Sequence, residues 1–74
     1  MKSAEEIMSN IASGLRQARA ARKVSQAEAA SACGVSQGTW SNWENETTAP
    51  GADDMWRIAD YFDVSLDRLY NRNL

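Results

Sequence analysis

The sequence predicts an all-α domain built from five short helical segments. Three observations predict it. Alanine is abundant, with twelve among 74 residues. β-Branched residues never alternate over more than a few positions, so no stretch reads as a half-buried strand. Apolar residues instead recur three and four apart, between serine caps, glycines and a proline that mark where segments start and stop.

The first segment runs from Ala4 to Arg22. Ser3 and Glu6 have capping-box spacing, in which hydroxyl and carboxylate each satisfy an orphan backbone N–H. Ile7, Ile11, Leu15 and Ala18 form an apolar stripe. Gly14 and its Ser/Asn neighbours weaken the middle, so a start nearer Ile11 is the alternative. The second segment is Gln26–Cys33, capped by Ser25 and Glu28 and stopped by Gly34. The third is Gln37–Asn45 with Ser36 as cap; Trp40 and Trp43, three apart, share a face. A loop through Thr47-Thr48-Ala49-Pro50-Gly51 follows, with Ala49 extended because it precedes proline. The fourth, Ala52–Phe62, turns Met55, Ile58, Ala59 and Phe62 inward and ends at Asp63, a residue that tolerates the left-handed conformation. The fifth is Leu66–Tyr70 after Ser65. Residues 1–10 read as an extension of the first helix, 11–70 as the domain, and 71–74 as a frayed tail.

Composition narrows function. A chain this short buries only about 60% of its unfolded surface, so its core is thin. There is no histidine, which removes the usual general base and the commonest metal ligand. One cysteine allows no internal disulfide and no thiolate cage. Lys2 and Lys23 sit in no nucleophile motif. Gly14, Gly34, Gly38 and Gly51 are too scattered for a phosphate loop. The Asp53-Asp54 pair reads as acids at a helix start. The expectation is a protein that is not an enzyme and needs no cofactor. No apolar run reaches the ~18 residues of a membrane span. Met1–Asn10 carries two Glu and no apolar block, which predicts a cytoplasmic location.

The link Cys33-Gly34-Val35-Ser36 joins two short helices by a glycine turn, a plugging valine and a hydroxyl cap, the helix-turn-helix pattern. An ordered set of residues surrounds it: Leu15-Arg16 with Arg19, Val24-Ser25-Gln26, Ala30, Gly34-Val35-Ser36, Thr39 through Asn45, Pro50, Ile58-Ala59, Val64-Ser65-Leu66 and Leu69. With these, the stretch from Ile11 to Tyr70 resembles the phage-repressor and Cro type of helix-turn-helix domain, also called the xenobiotic-response-element type. The resemblance implies a five-helix, lambda-repressor-like bundle whose third helix enters the major groove of DNA.

A helical wheel at roughly 100° per residue gives a check independent of the resemblance. Trp40 and Trp43 point inward. The opposite arc carries Gln37, Gly38, Ser41, Asn42 and Asn45, none of them charged. A merely solvated face would carry Lys or Glu, whereas amides and hydroxyls suit base edges. Gly38 reads either as drift at an exposed site or as room for close backbone approach.

The resemblance places Gln26, at the start of the second helix, on a phosphate; the bland reading is a solvent-facing side chain. It gives Thr39, Asn45, Thr47 and Thr48 to positioning the duplex through hydroxyls and backbone N–H groups, and Ser36, the cap of the third helix, is counted with the DNA-binding residues. It also implies an Arg19–Glu44 ion pair that orients the reading helix. The tryptophans stand where the family has aliphatic residues, and Ala29 and Cys33 where it has leucine. That exchange predicts indoles packed as core against small partners, not stacking platforms, and an inert buried thiol.

Charge is the strain in this reading. Eight basic and ten acidic residues give −2, whereas a DNA binder usually shows a basic footprint. Arg16, Arg19, Arg22 and Lys23 cluster without an acid among them. Asp53, Asp54, Asp60, Asp63 and Asp67 lie late in the chain, on helices that the resemblance places far from the reading face. Glu46 replaces the glycine that commonly follows the third helix and would repel phosphates. The expectation is modest affinity with a shallow salt slope.

A twofold homodimer on a palindromic operator would double the contacts. The resemblance puts its surface near the start and along the fifth helix, at Leu66, Tyr70 and Leu74, with Trp56 and Tyr61 as further exposed apolars. The expected function is a sequence-specific, double-stranded-DNA-binding transcriptional regulator, a repressor. The alternative is a DNA-silent interaction module with a protein partner, antitoxin-like or antirepressor-like.

Overall fold

The computed structural model describes residues 1–72. These fold into five helices with no strand among them: α1 (Ala4–Arg22), α2 (Gln26–Ala32), α3 (Gln37–Glu44), α4 (Ala52–Phe62) and α5 (Leu66–Leu69). Three expected helices run one residue past the observed ones, because Cys33, Asn45 and Tyr70 cap their helices without continuing them.

The serine signals act as read. Ser3 and Ser25 form reciprocal capping boxes with Glu6 and Glu28, and Ser36 and Ser65 accept from the amides of Thr39 and Arg68. The α4 start is held differently: the Gly51 N–H donates to the Asp54 carboxylate at 3.1 Å. Asp63 takes the left-handed conformation with φ 54°, and Lys23 closes α1 in the same way with φ 56°.

The core gathers Ile11 and Leu15 from α1, Ala29 and Ala30 from α2, Cys33, the two indoles of α3, Met55, Ile58 and Phe62 from α4, and Leu69 from α5. Trp40 is fully buried. Its ring stacks at a tilt on Trp43 with centroids 5.4 Å apart and on Phe62 at 6.3 Å. The small Ala29 and Cys33 are buried in the same cluster as the two indoles, an arrangement consistent with volume compensation. Burial pushes the Cys33 thiol above its ordinary value, which keeps it protonated and unreactive.

Helix α1 starts at Ala4 as expected, so the alternative start near Ile11 falls away, and Gly14 is no weak point. It is buried where α5 crosses α1: a Cβ there would lie 1.9 Å from the Leu69 carbonyl oxygen. The glycine is the condition for that crossing. Ile7, in turn, does not belong to the core stripe; it is 41% exposed, beside Lys2, Asn10, Tyr70 and Arg72.

Tyr61 is also less free than expected. It is half-buried, edge-on to Phe62 at 4.8 Å, with the Arg22 guanidinium 6.0 Å from its ring centre. Arg22 also donates to the Phe62 carbonyl at 3.1 Å, tying the end of α1 to the end of α4.

Candidate nucleic-acid interface

The turn between α2 and α3 is built by backbone rules. Gly34, at φ 75°, sits where only a residue without a Cβ is at ease. Its N–H donates to the Ser31 carbonyl at 3.2 Å, and the Val35 N–H reaches back to Ala30 at 3.0 Å. That pair of bonds is a Schellman closure, which satisfies the last carbonyls of α2 and releases the chain at a fixed angle. The half-buried Val35 packs on the core. Ser36 then starts α3.

The closure of α3 repeats this pattern with a different residue. The Glu46 N–H donates to Trp43 at 3.3 Å and the Thr47 N–H to Asn42 at 2.9 Å. Glu46 therefore occupies the left-handed position, at φ 64°, that glycine fills in α2.

Inward, α3 is anchored by Glu44, the one buried charged side chain among the described residues. Its carboxylate accepts from Arg19 Nε at 2.6 Å and Nη2 at 2.9 Å, a two-pronged pair. It also accepts from Trp40 Nε1 at 2.5 Å and Gln26 Nε2 at 3.1 Å. Burial alone would raise the Glu44 carboxyl, but hydrogen bonds from Arg19, Trp40 and Gln26 outweigh it and hold the group below the ordinary glutamate value. The same pairing raises Arg19. The ion pair expected from the resemblance is present; its extension to Trp40 and Gln26 was not legible from spacing.

Outward, α3 presents Gln37, Gly38, Asn42 and Asn45 as exposed residues, with Thr39 and Ser41 half-buried. Their freedom differs. Ser36 and Thr39 share a hydroxyl hydrogen bond of 3.0 Å, and Asn45 Nδ2 donates to Ser41 Oγ at 3.3 Å. The side chains of Gln37 and Asn42 make no hydrogen bond among the described residues. Two primary amides thus stand in solvent on a helix whose other side cannot rotate.

Three flanking expectations change. The Gln26 side chain does not point freely outward; one of its two N–H donors is held by Glu44. The free donors at the α2 start are the backbone amides of Gln26 and Ala27, since the Glu28 amide is taken by Ser25 Oγ at 3.0 Å. The backbone amides of Thr47 and Thr48 are likewise taken, both by the Asn42 carbonyl, at 2.9 and 3.4 Å. Only their hydroxyls remain for a ligand. Thirdly, the α4 acids are not all remote. Arg57 donates to the Cys33 carbonyl in the turn at 3.2 Å and to Asp54 at 2.6 Å, and the Asp54 charge bears on Cys33.

A second cation meets α3 beside Arg19; in the sequence it has a place in the ordered set and in the basic cluster, but no partner. Arg16, half exposed, donates through Nη2 to the Glu44 backbone carbonyl. It stands at the helix C-terminus, where the macrodipole favours positive charge.

A family model described as helix-turn-helix matches residues 15–69. The chain belongs to the helix-turn-helix family of the Cro and phage-repressor type. That span runs from Leu15 to Leu69, both fully buried, and includes the turn, α3 and the Glu44 anchor. The helix-turn-helix family is one of DNA-binding regulators and is not typically enzymatic. Among curated proteins and among solved structures, none matches the chain. No described helix of this helix-turn-helix domain is long and apolar enough to cross a membrane.

Proposed function

We propose that this protein is a cytoplasmic transcriptional repressor that reads double-stranded DNA through α3. The observation that carries the reading is the pair of unpartnered, exposed amides of Gln37 and Asn42, on a helix fixed from behind by Trp40, Trp43 and Glu44. A primary amide offers a donor and an acceptor side by side, the pattern that pairs with adenine in the major groove. Ser41 adds a hydroxyl to the same arc. Gly38 lets the α3 backbone come close to the duplex.

Phosphates would be met by the free backbone amides at the starts of α2 and α3 and by the remaining Gln26 donor. The hydroxyls of Ser36, Thr39, Thr47 and Thr48, the Asn45 amide and the Arg16 guanidinium complete that set. Few of these are ionic, so affinity depends weakly on salt.

The repressor acts as a homodimer on a palindrome, with residues 11–70 as the DNA-binding unit. Its dimer surface lies at the end where α1 starts and α5 finishes. There Tyr70 lines a shallow groove with Ile7, Asn10, Lys2 and Arg72; Leu66, 44% exposed and expected on the same surface, opens instead on a hollow beside Trp56, Ala59, Asp60 and Val64. Leu74, assigned to the same surface, lies outside the described residues.

A second reading keeps the fold and loses the DNA. Glu28 at the α2 start and Glu46 after α3 put exposed carboxylates beside the groups that would meet phosphate. That arrangement favours the DNA-silent interaction module. Selecting bound duplexes from a random pool separates the two, because a silent module retains nothing even at low salt. On the selected site, Gln37→Ala and Asn42→Ala should each cost about 1–3 kcal/mol at particular bases, with stability unchanged within about 0.5 kcal/mol. Equal losses on every sequence would contradict base readout by these two side chains.

A further inference from the structure

Helix α4 closes the core with Met55, Ile58 and Phe62, and its opposite side should then be plainly polar. It is not. Trp56 stands there 69% exposed, on no buried stripe. Beside it lies a hollow of about 180 Å³ lined by Ala59, Asp60, Val64 and Leu66. At about 100° per residue, Asp53 and Asp60 fall within about 60° of the indole, and Asp63 follows at the left-handed end of the helix. Asp53 is paired with Arg57 at 3.4 Å, while Asp60 and Asp63 have no ion pair among the described residues.

We propose that this face of α4 is a docking surface for a basic amphipathic segment of another protein. One apolar side chain of that segment would sit in the hollow against Trp56, with Lys or Arg toward Asp60 and Asp63. The charge pattern selects this occupant. A second copy meeting the face symmetrically would set these aspartates against their own counterparts, a like-charge cost. Nucleic acid and anionic membranes are repelled for the same reason. A neutral apolar partner would crowd the carboxylates and offer them no counter-charge. Lysine or arginine gains both the carboxylates and the indole face, since cations are attracted to that ring. The surface uses nothing of α3, so it stands whether or not Gln37 and Asn42 read DNA.

The test uses the full chain without DNA. Trp40 and Trp43 are 0% and 4% exposed, so acrylamide quenching of the native protein reports Trp56. The probes are a capped Lys/Leu amphipathic peptide and its Glu/Leu counterpart of the same pattern. The Lys/Leu peptide should shield Trp56 and blue-shift its emission, and the Glu/Leu peptide should do neither. By anisotropy of labelled peptide, binding should weaken about tenfold or more in Trp56→Ala, as for an aromatic anchor. It should weaken similarly in Asp60→Lys/Asp63→Asn, where asparagine still tolerates the left-handed turn. Thermal unfolding establishes that both variants are folded. Equal binding of the two peptides, or binding indifferent to these substitutions, would overturn the proposal. So would shielding of Trp56 that grows with protein concentration alone, which would make the occupant a second copy.

Discussion

The two sides of α3 obey opposite rules. On the inward side the Glu44 carboxylate takes hydrogen bonds from α1, from α2 and from its own helix. No buried side-chain polar atom is left without a partner among the described residues. On the outward side the side chains of Gln37 and Asn42 stay exposed and make no hydrogen bond among the described residues. The contrast separates duties within eight residues. Inward groups fix where the helix lies and cannot change without loss of stability. Outward groups contribute little to folding, so substitutions there leave the fold intact and, on the proposed function, change what is read.

The largest effect should come from breaking the inward side. Arg19→Ala leaves a buried carboxylate without its main counter-charge and should cost about 3–5 kcal/mol in denaturant unfolding. The sign with pH sharpens this. In the native protein the Glu44 carboxyl is lowered, so its contribution is present above the ordinary glutamate value, about 4.3, and fades as pH falls through the folded value. In Arg19→Ala the largest of the groups that lower the carboxyl is gone while its burial remains, so it should hold its proton more readily than in the native protein. Acidification toward pH 4 should therefore narrow the gap between variant and native protein. A gap that stays constant with pH would mean that Glu44 is held by something other than Arg19.

Next in size is Gly14→Ala. Helix propensity alone would favour alanine by about 1 kcal/mol. The added Cβ, however, meets the Leu69 backbone oxygen at 1.9 Å, so α5 must lift from α1. Overpacking of this kind costs about 1–3 kcal/mol, and here the obstacle is backbone, which cannot rotate away. The expected outcome is a net loss read as a lower urea midpoint. A gain would show that α5 yields freely.

That glycine also marks where the sequence stops being legible. Signals that act within one turn of chain were readable. The serine caps, the Gly34 turn and Asp63 depend on neighbours a few residues away, and the inward indoles follow from helical period alone. Groups whose partners are distant in the chain were not readable from spacing; the Arg19–Glu44 pair alone among them was expected, and that from the resemblance. Gly14 answers to Leu69, Glu44 gathers Gln26 along with Arg19, and Arg57 reaches Cys33. The candidate site divides in the same way. The exposed arc of α3 was visible from periodicity, whereas the occupied amides of Thr47 and Thr48 appear only once the chain has closed over Asn42.

The outward side gives smaller effects. At Gly38 an added Cβ finds nothing nearer than Ser36 Oγ at 3.8 Å. Gly38→Ala should therefore stabilise the free protein by about 1 kcal/mol, the difference in helix propensity. If the α3 backbone approaches the duplex there, the same change should weaken DNA binding, so stability and affinity move in opposite directions. A parallel rise in both would return Gly38 to an exposed site with no role.

The smallest effect is at Glu46, where charge and conformation can be pulled apart. The left-handed backbone costs a side-chain-bearing residue about 1–2 kcal/mol, and glycine gives back about 0.5–1 kcal/mol of this in lost chain entropy. Glu46→Gly should therefore gain less than about 1 kcal/mol in stability. It should also tighten DNA binding, because a carboxylate beside the phosphates is gone, with a gain that shrinks as salt screens it. Glu46→Gln removes the charge and keeps the strained backbone, so its affinity should rise at low salt without any gain in stability. If Glu46→Gln leaves DNA binding at the native level while Glu46→Gly tightens it, then the turn after α3, and not its charge, limits the fit of this helix to the groove.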